Sequence, residues 1–267
     1  MGDVRDRHAV HRELNVGTSL RGTARVLSFR VLTRFCRVCQ RPLSDCVDYL
    51  WSVDGYMQLQ AQEFVLPTGS MALVIDLDVE RADNALICGA RSRPLVLSTS
   101  RPLRLIAAHF KTGAGFPFAG CPAGELSNAQ VPLSVFWPRE AAGLHERICE
   151  AQTDQQRFLV LETFLAGRVH TSRPTNPAVL YAVRRFQHPP AAHLVREVAA
   201  EVGMSAQRFI DTFGNDVGLT PKVFARLARF RRTVDRIDMV QAIDWTDHSN
   251  FLQFVGPPDN IRFSETS

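Results

Sequence analysis

The sequence predicts an α+β chain: a β-rich N-terminal domain with two following helices, joined to an all-α domain that carries a helix-turn-helix. Three observations predict it. Before residue 137 short segments rich in branched apolar residues recur between glycine, proline and polar clusters, a strand pattern. Beyond that point the apolar spacing becomes helical. Residues 194–221 then read as helix, tight turn, helix and the capped start of a third helix. With 267 residues, 45% of them hydrophobic and 22% charged, the chain can bury the cores of two domains. They are expected at 23–172 and 176–254, with 1–22 and 255–267 lacking order.

The strand segments come first. EFVLP (63–67), MALVIDLDV (71–79), PLVLSTS (94–100) and LRLIAAHF (103–110) are short and spaced for antiparallel pairing, and their imperfect alternation fits a sandwich or a small barrel equally. Two helices follow. One spans about 140–151; the next is capped by Thr153 with Gln156 three residues on, and continues through Phe158, Leu161 and Leu165. Residues 173–177, RPTNP, predict a solvent-exposed linker, because proline disfavours helix for itself and its predecessor.

In the all-α domain Leu194, Val195, Val198, Ala199 and Val202 recur at helical spacing. Gly203 stands where a helix ends by entering the left-handed backbone region, and Ser205 can cap the next helix. Across 205–217 Phe209, Ile210, Phe213 and Val217 form a packing stripe, which leaves Ala206, Gln207, Arg208, Asp211 and Thr212 outward near the N-terminal half. That is the half a major-groove recognition helix presents. Gly218 stops the helix, and Thr220 and Pro221 start another. Between Pro221 and Ile237, Lys222, Arg226, Arg229, Arg231, Arg232 and Arg236 stand against the one acid Asp235. Six basic residues less one acid leave +5, more than the +4 of the whole chain. A basic helix beside a groove-sized reader suits phosphate contacts, which supply affinity without sequence information. The expected double-stranded DNA contacts are Ser205, Ala206, Gln207, Arg208, Asp211, Thr212, Lys222, Arg226, Arg229 and Arg232.

The run AAEVGMSAQRFIDTFGNDVGLTPKVFARLARFRR resembles the first helix-turn-helix and connecting helix of AraC-type transcriptional regulators. Ala199, the turn Gly203-Met204-Ser205, the pair Phe209 and Phe213, and Gly218-Leu219-Thr220-Pro221 carry the resemblance. It implies that residues 206–208, 211 and 212 face DNA. Asp211 departs from the basic residue frequent there and could accept from a cytosine amino group instead. Arg41-Pro42-Leu43 through Trp51, Leu66-Pro67-Thr68-Gly69, and 103–133 resemble an N-terminal domain that accompanies such readers in actinobacterial regulators, with Thr68 in place of the usual Asp. The resemblance implies a one-component regulator with a sensing or dimerising domain and leaves the ligand unassigned; a small-molecule effector and a homodimer are the candidate partners besides DNA. AraC-type proteins carry a second helix-turn-helix, which needs on the order of 40 residues. Thirty residues follow Ile237, and 247–251, DHSNF, resemble only the start of that second recognition helix. The second unit is expected to be incomplete, and a ligand-binding or dimerising protein with an impaired reader is the alternative.

Other chemistry is less well supported. No apolar run reaches the 18 or so residues of a membrane span and the N-terminus lacks a signal-peptide core, so a cytoplasmic protein without membrane contact is expected. Cys36 and Cys39, with Cys46 nearby, have zinc or redox spacing but no evident fourth ligand, while Cys88, Cys121 and Cys149 sit singly, as small buried hydrophobes do. A cysteine- or zinc-dependent sensor or repair protein is therefore the weaker alternative, and no metal or cofactor is expected. His109, Lys111, Cys121 and Glu125 lie close in sequence without a catalytic motif, so no enzyme is expected. His109, Lys111 and Phe116 are the expected ligand contacts, beside a loop suited to a small anion.

Overall fold

In the computed structural model, which describes residues 25–27, 35–37, 39–56, 63–79, 84–97, 101–169, 175–188, 195–238 and 259–260, the strands pair into two sheets. The strands are β1 (Arg25–Leu27), β2 (Phe35–Arg37), β3 (Val47–Tyr56), β4 (Glu63–Val65), β5 (Ala72–Asp76), β6 (Ala85–Cys88), β7 (Leu95–Leu97), β8 (Leu103–Phe110), β9 (Gln130–Pro132) and β10 (Asp259–Asn260). Six of them form an antiparallel sheet in the order β2-β3-β8-β5-β6-β9. In the second sheet, β1-β4-β7-β10, only β4 and β7 run antiparallel. Residues 259–260 were expected to lack order; they pair instead with Leu95 and Val96, whose edge offers backbone groups.

The helices are α1 (Phe116–Ala119), α2 (Leu133–Phe136), α3 (Pro138–Glu150), α4 (Asp154–Val169), α5 (Pro177–Gln187), α6 (Val195–Glu201), α7 (Ala206–Val217) and α8 (Pro221–Asp238). The chain is thus α+β, with its sheet first and most of its helix after it. Among the described residues no helix is long and apolar enough to cross a membrane.

Side chains alternate across a strand, so the six-stranded sheet has two different faces. Ile106, Ala108 and Phe110 of β8, with Leu73, Ile75 and Ile87, join the larger core, which continues through Leu144 and Leu165 to Phe213 and Phe224. Leu103, Leu105 and Ala107 face the other way and pack with Trp51, Val53 and Val65 in a smaller core towards the second sheet. Burying a side chain of this size stabilises by about 1.5–3 kcal/mol.

The cap of α4 forms as its sequence predicts. Thr153 Oγ1 accepts from the Gln156 amide at 3.2 Å, and Gln156 Oε1 accepts from the Thr153 amide at 3.2 Å. The expected linker does not behave as one where it is described. Thr175 Oγ1 donates to Gly113 O at 3.0 Å, the Asn176 amide donates to Asp216 at 3.2 Å, and Asn176 Oδ1 caps α5 through the Ala178 amide at 2.9 Å. Polar residues that suit solvent suit a cap equally well, and the buried Asp216 carboxylate supplies the tertiary partner. Arg173 and Pro174 lie outside the described residues, as do Leu194, 1–22 and the expected second unit at 239–254.

Two glycines allow the helices to reach the sheets. Gly218 ends α7 at φ +88°, and a Cβ there would lie 2.9 Å from Ala123 O in the 3₁₀ turn Ala123–Leu126. Gly69, at φ +74°, lies under α8, where a Cβ would meet Leu227 at 3.0 Å and Phe224 at 3.2 Å. Phe186, Phe213 and Phe224 then join α5, α7 and α8, with ring centroids 5.6–6.5 Å apart.

Candidate functional site

The turn between α6 and α7 follows from its residues. Gly203 adopts φ +68° with nothing within 4 Å of its missing Cβ, and Ser205 Oγ accepts from the Arg208 amide at 3.3 Å to cap α7. Phe209, Phe213 and Val217 are buried and Ile210 is half-buried, so α7 has a single core face. Ser205, Ala206, Gln207, Arg208 and Asp211 are exposed, and Thr212 is half-exposed. Within that set Gln207 Nε2 donates to Asp211 Oδ1 at 3.0 Å, so the carboxylate fixes the amide rather than standing alone. Helix α6 is pinned separately, by Glu201 accepting from Tyr181 Oη and Arg185 Nη2 of α5, each at 2.9 Å.

The basic residues of α8 divide into two groups. Lys222, Arg226 and Arg229 recur at i, i+4 and i+7 and form an exposed stripe along one side. Arg232 is half-buried, and its Nη1 donates to Phe186 O at 3.0 Å and Gln187 O at 2.7 Å, the final carbonyls of α5. A guanidinium satisfying a helix C-terminus has a structural role, so Arg232 does not share the stripe's geometry. Arg231 turns the other way and donates to Thr68 O at 3.0 Å. The Arg236 side chain lies outside the described residues.

A cavity of about 100 Å³ lies between the two sheets. Register on the six-stranded sheet grades its floor. One row runs Tyr49, His109, Ala72, Cys88, Gln130; the next on the same face runs Trp51, Ala107, Val74, Leu86; a third runs Val53, Leu105 and Asp76, whose carboxylate pairs with Arg101 and does not line the cavity. The floor is polar at one end and hydrocarbon at the other. Thr68, Ser70 and Arg91 also line the cavity.

His109 is buried and stacks on Tyr49, with ring centroids 4.8 Å apart and planes 8° from parallel. Burial, and then the charge of Arg231, push its pKa down to about 4, so the imidazole is neutral near pH 7. Burial likewise pushes the Cys88 thiol up to about 11, against the opposing effects of Arg91 and Gln130. Of the three expected ligand contacts only His109 lines this cavity. Lys111 is exposed and Phe116 half-buried, because β8 ends at Phe110 and the chain leaves the sheet in a turn through Gly113 at φ +82°. Cys88, Arg91 and Gln130 were missed from sequence. Only the strand register brings Cys88 and Gln130 into the row of His109, and Arg91, three residues past Cys88, acts on its thiol; no local spacing signals either.

The remaining thiols are ordinary. Cys39 is buried and Cys46 and Cys121 are half-buried, the last two held above the usual thiol pKa chiefly by burial. Cys149 departs from the expected buried position: it is exposed near the end of α3, with Sγ 3.5 Å from His145 Nε2 one turn earlier. The Cys36 side chain lies outside the described residues.

Compared with known proteins, residues 39–132 match the model of a domain of unknown function, DUF6597. The matched span runs from just before β3 to β9 and holds all of the cavity's lining among the described residues. No curated protein and no solved structure matches the chain.

Proposed function

We propose that the chain is a sequence-specific, DNA-binding transcriptional regulator of AraC type that reads the major groove with helix 205–217. The observation that carries this reading is the division of α7. Its packing face is buried, while residues 205–208 and 211 at its capped N-terminal half remain exposed after a tight turn. Lys222, Arg226 and Arg229 supply phosphate contacts from α8. Asp211 acts in this reading by holding Gln207, which leaves the Gln207 carbonyl oxygen for a base amino group. Arg232 is not among the contacts, because its guanidinium closes α5. Resemblance of 199–221 to the AraC-type reader points the same way.

The test is binding of the purified full chain to its own upstream DNA across a salt series. Arg208→Ala is expected to cost about 1–3 kcal/mol and to relax preference at one base position. Arg229→Ala is expected to weaken all sequences alike and to lower the salt slope by about one. Binding that ignores sequence in the parent chain, or an Arg208→Ala variant with unchanged preference, overturns the assignment of α7.

A further inference from the structure

The cavity between the sheets has features that packing alone does not require. Its floor grades from hydrocarbon at Trp51, Val74 and Leu105 to polar groups at Cys88, His109 and Gln130. At the polar end the described lining contains one cation, Arg91, and no acid. Arg231 adds a second positive charge just outside, on Thr68 O. The imidazole and the thiol are both neutral there, so they can hydrogen-bond to a head group without repelling it. Such a site favours an anion over a cation, because a buried negative charge needs a cation and hydrogen-bond donors around it. Size restricts the hydrocarbon part. A dry cavity of about 150 Å³ holds one benzene, so the hydrocarbon end of this smaller one takes a chain of no more than about four carbons beyond the head group.

We propose that the cavity binds a small monocarboxylate with a short or branched aliphatic chain, its hydrocarbon against Trp51, Val74 and Leu105 and its carboxylate towards Arg91 and Gln130. The proposal stands apart from the DNA reading, and its experiment contains no nucleic acid.

Three probes of one shape and different charge test it on the full-length protein: isovalerate, isovaleramide and isopentylamine, by calorimetric titration and by melting temperature. Isovalerate is expected to bind with a dissociation constant of about 0.1–1 mM, in keeping with its few heavy atoms. It should bind at least about tenfold more tightly than the amide, one charge-assisted hydrogen bond being worth about that factor, while the amine should not bind. Arg91→Gln should remove the preference for isovalerate and leave amide binding as it was. Val74→Phe, which fills the hydrocarbon end, should abolish both; Leu105→Phe replaces it if circular dichroism shows that variant unfolded. No binding by any probe overturns the proposal, and so does equal affinity for acid and amide. Isovalerate binding that survives both a folded cavity-filling variant and Arg91→Gln places the anion elsewhere and overturns it too.

Discussion

Replacing Gly218 by alanine measures how firmly α7 is held against the sheet domain, and Gly203 provides the internal control. Both residues have positive φ, +68° at Gly203 and +88° at Gly218, so alanine at either meets the left-handed penalty of about 1–2 kcal/mol. Lower entropy of the unfolded chain returns about 0.4–1 kcal/mol of that. At Gly203 nothing lies within 4 Å of the new methyl group, so the net cost should be about 1 kcal/mol. At Gly218 the methyl group would stand 2.9 Å from Ala123 O and 3.2 Å from Ala90 Cβ, neither the far end of a flexible side chain. Relieving that contact means moving α7 off the 3₁₀ turn, an overpacking cost of about 1–3 kcal/mol more. Urea unfolding followed by far-UV circular dichroism should place the two midpoints about 1 M apart, for an m-value near 2 kcal/mol/M. Equal midpoint shifts would refute the reasoning, because they would mean that α7 and the Ala123–Leu126 turn do not bear on one another in solution.

Two further outcomes follow from single side chains. His109 stays neutral in the folded chain down to about pH 4, whereas an unfolded histidine takes up a proton near pH 6.5. Stability should therefore be complete above pH 6.5 and fall between 6.5 and 4 by on the order of 3 kcal/mol; urea midpoints across that range should fall less steeply in His109→Gln, and parallel curves would contradict the assignment. Arg232→Ala should lower stability by about 1–2 kcal/mol, because the carbonyls of Phe186 and Gln187 lose their donor, and should leave the salt slope of DNA binding unchanged. A lowered slope without a stability loss would return Arg232 to the phosphate contacts.

The parts legible in the sequence are those that local chemistry decides. Gly203 and Ser205 specify the turn before α7 through one backbone conformation and one cap, and Thr153 with Gln156 specifies the start of α4 in the same way. The central strand 103–110 was legible because its apolar run is long and bounded by a proline and a glycine-rich loop. Long β3 was not, since Asp48, Asp54 and Gly55 interrupt its pattern and register shifts separate Val47 from Tyr49 and Val53 from Tyr56. Partners chosen by tertiary structure were hidden as well. Arg229 and Arg232 look alike in a basic run, yet three residues of helical rotation send one to solvent and the other to the end of α5. The sheet row that carries the cavity's polar end is drawn from five strands, so its members lie up to 81 positions apart, between Tyr49 and Gln130.

Residues 68–70 lie between the cavity and α8, and that position makes a linkage testable. Thr68 and Ser70 line the cavity, Ser70 Oγ lies 2.9 Å from Thr112 Oγ1 in the turn after β8, and Thr68 O accepts from Arg231 of α8 at 3.0 Å. Gly69, between them, has α8 directly above it, with Leu227 and Phe224 at contact distance from the place a Cβ would take. A carboxylate bound at the polar end would lie beside Thr68 and Ser70 and would interact with the Arg231 charge, which adds to burial in depressing the His109 pKa. Any shift of this loop changes the Arg231 hydrogen bond, and with it the seating of the helix that carries Lys222, Arg226 and Arg229. One such bond is worth about 1 kcal/mol, so the coupling should be a factor of about five in affinity. Linkage requires reciprocity: isovalerate must change DNA affinity by the same factor by which DNA changes isovalerate affinity. Arg231→Gln, which removes the charge and weakens the bond, should bring that factor towards one while both ligands still bind. A factor of one in the parent chain, with both ligands bound, would show that the shared loop transmits nothing and that the cavity and the reader are independent.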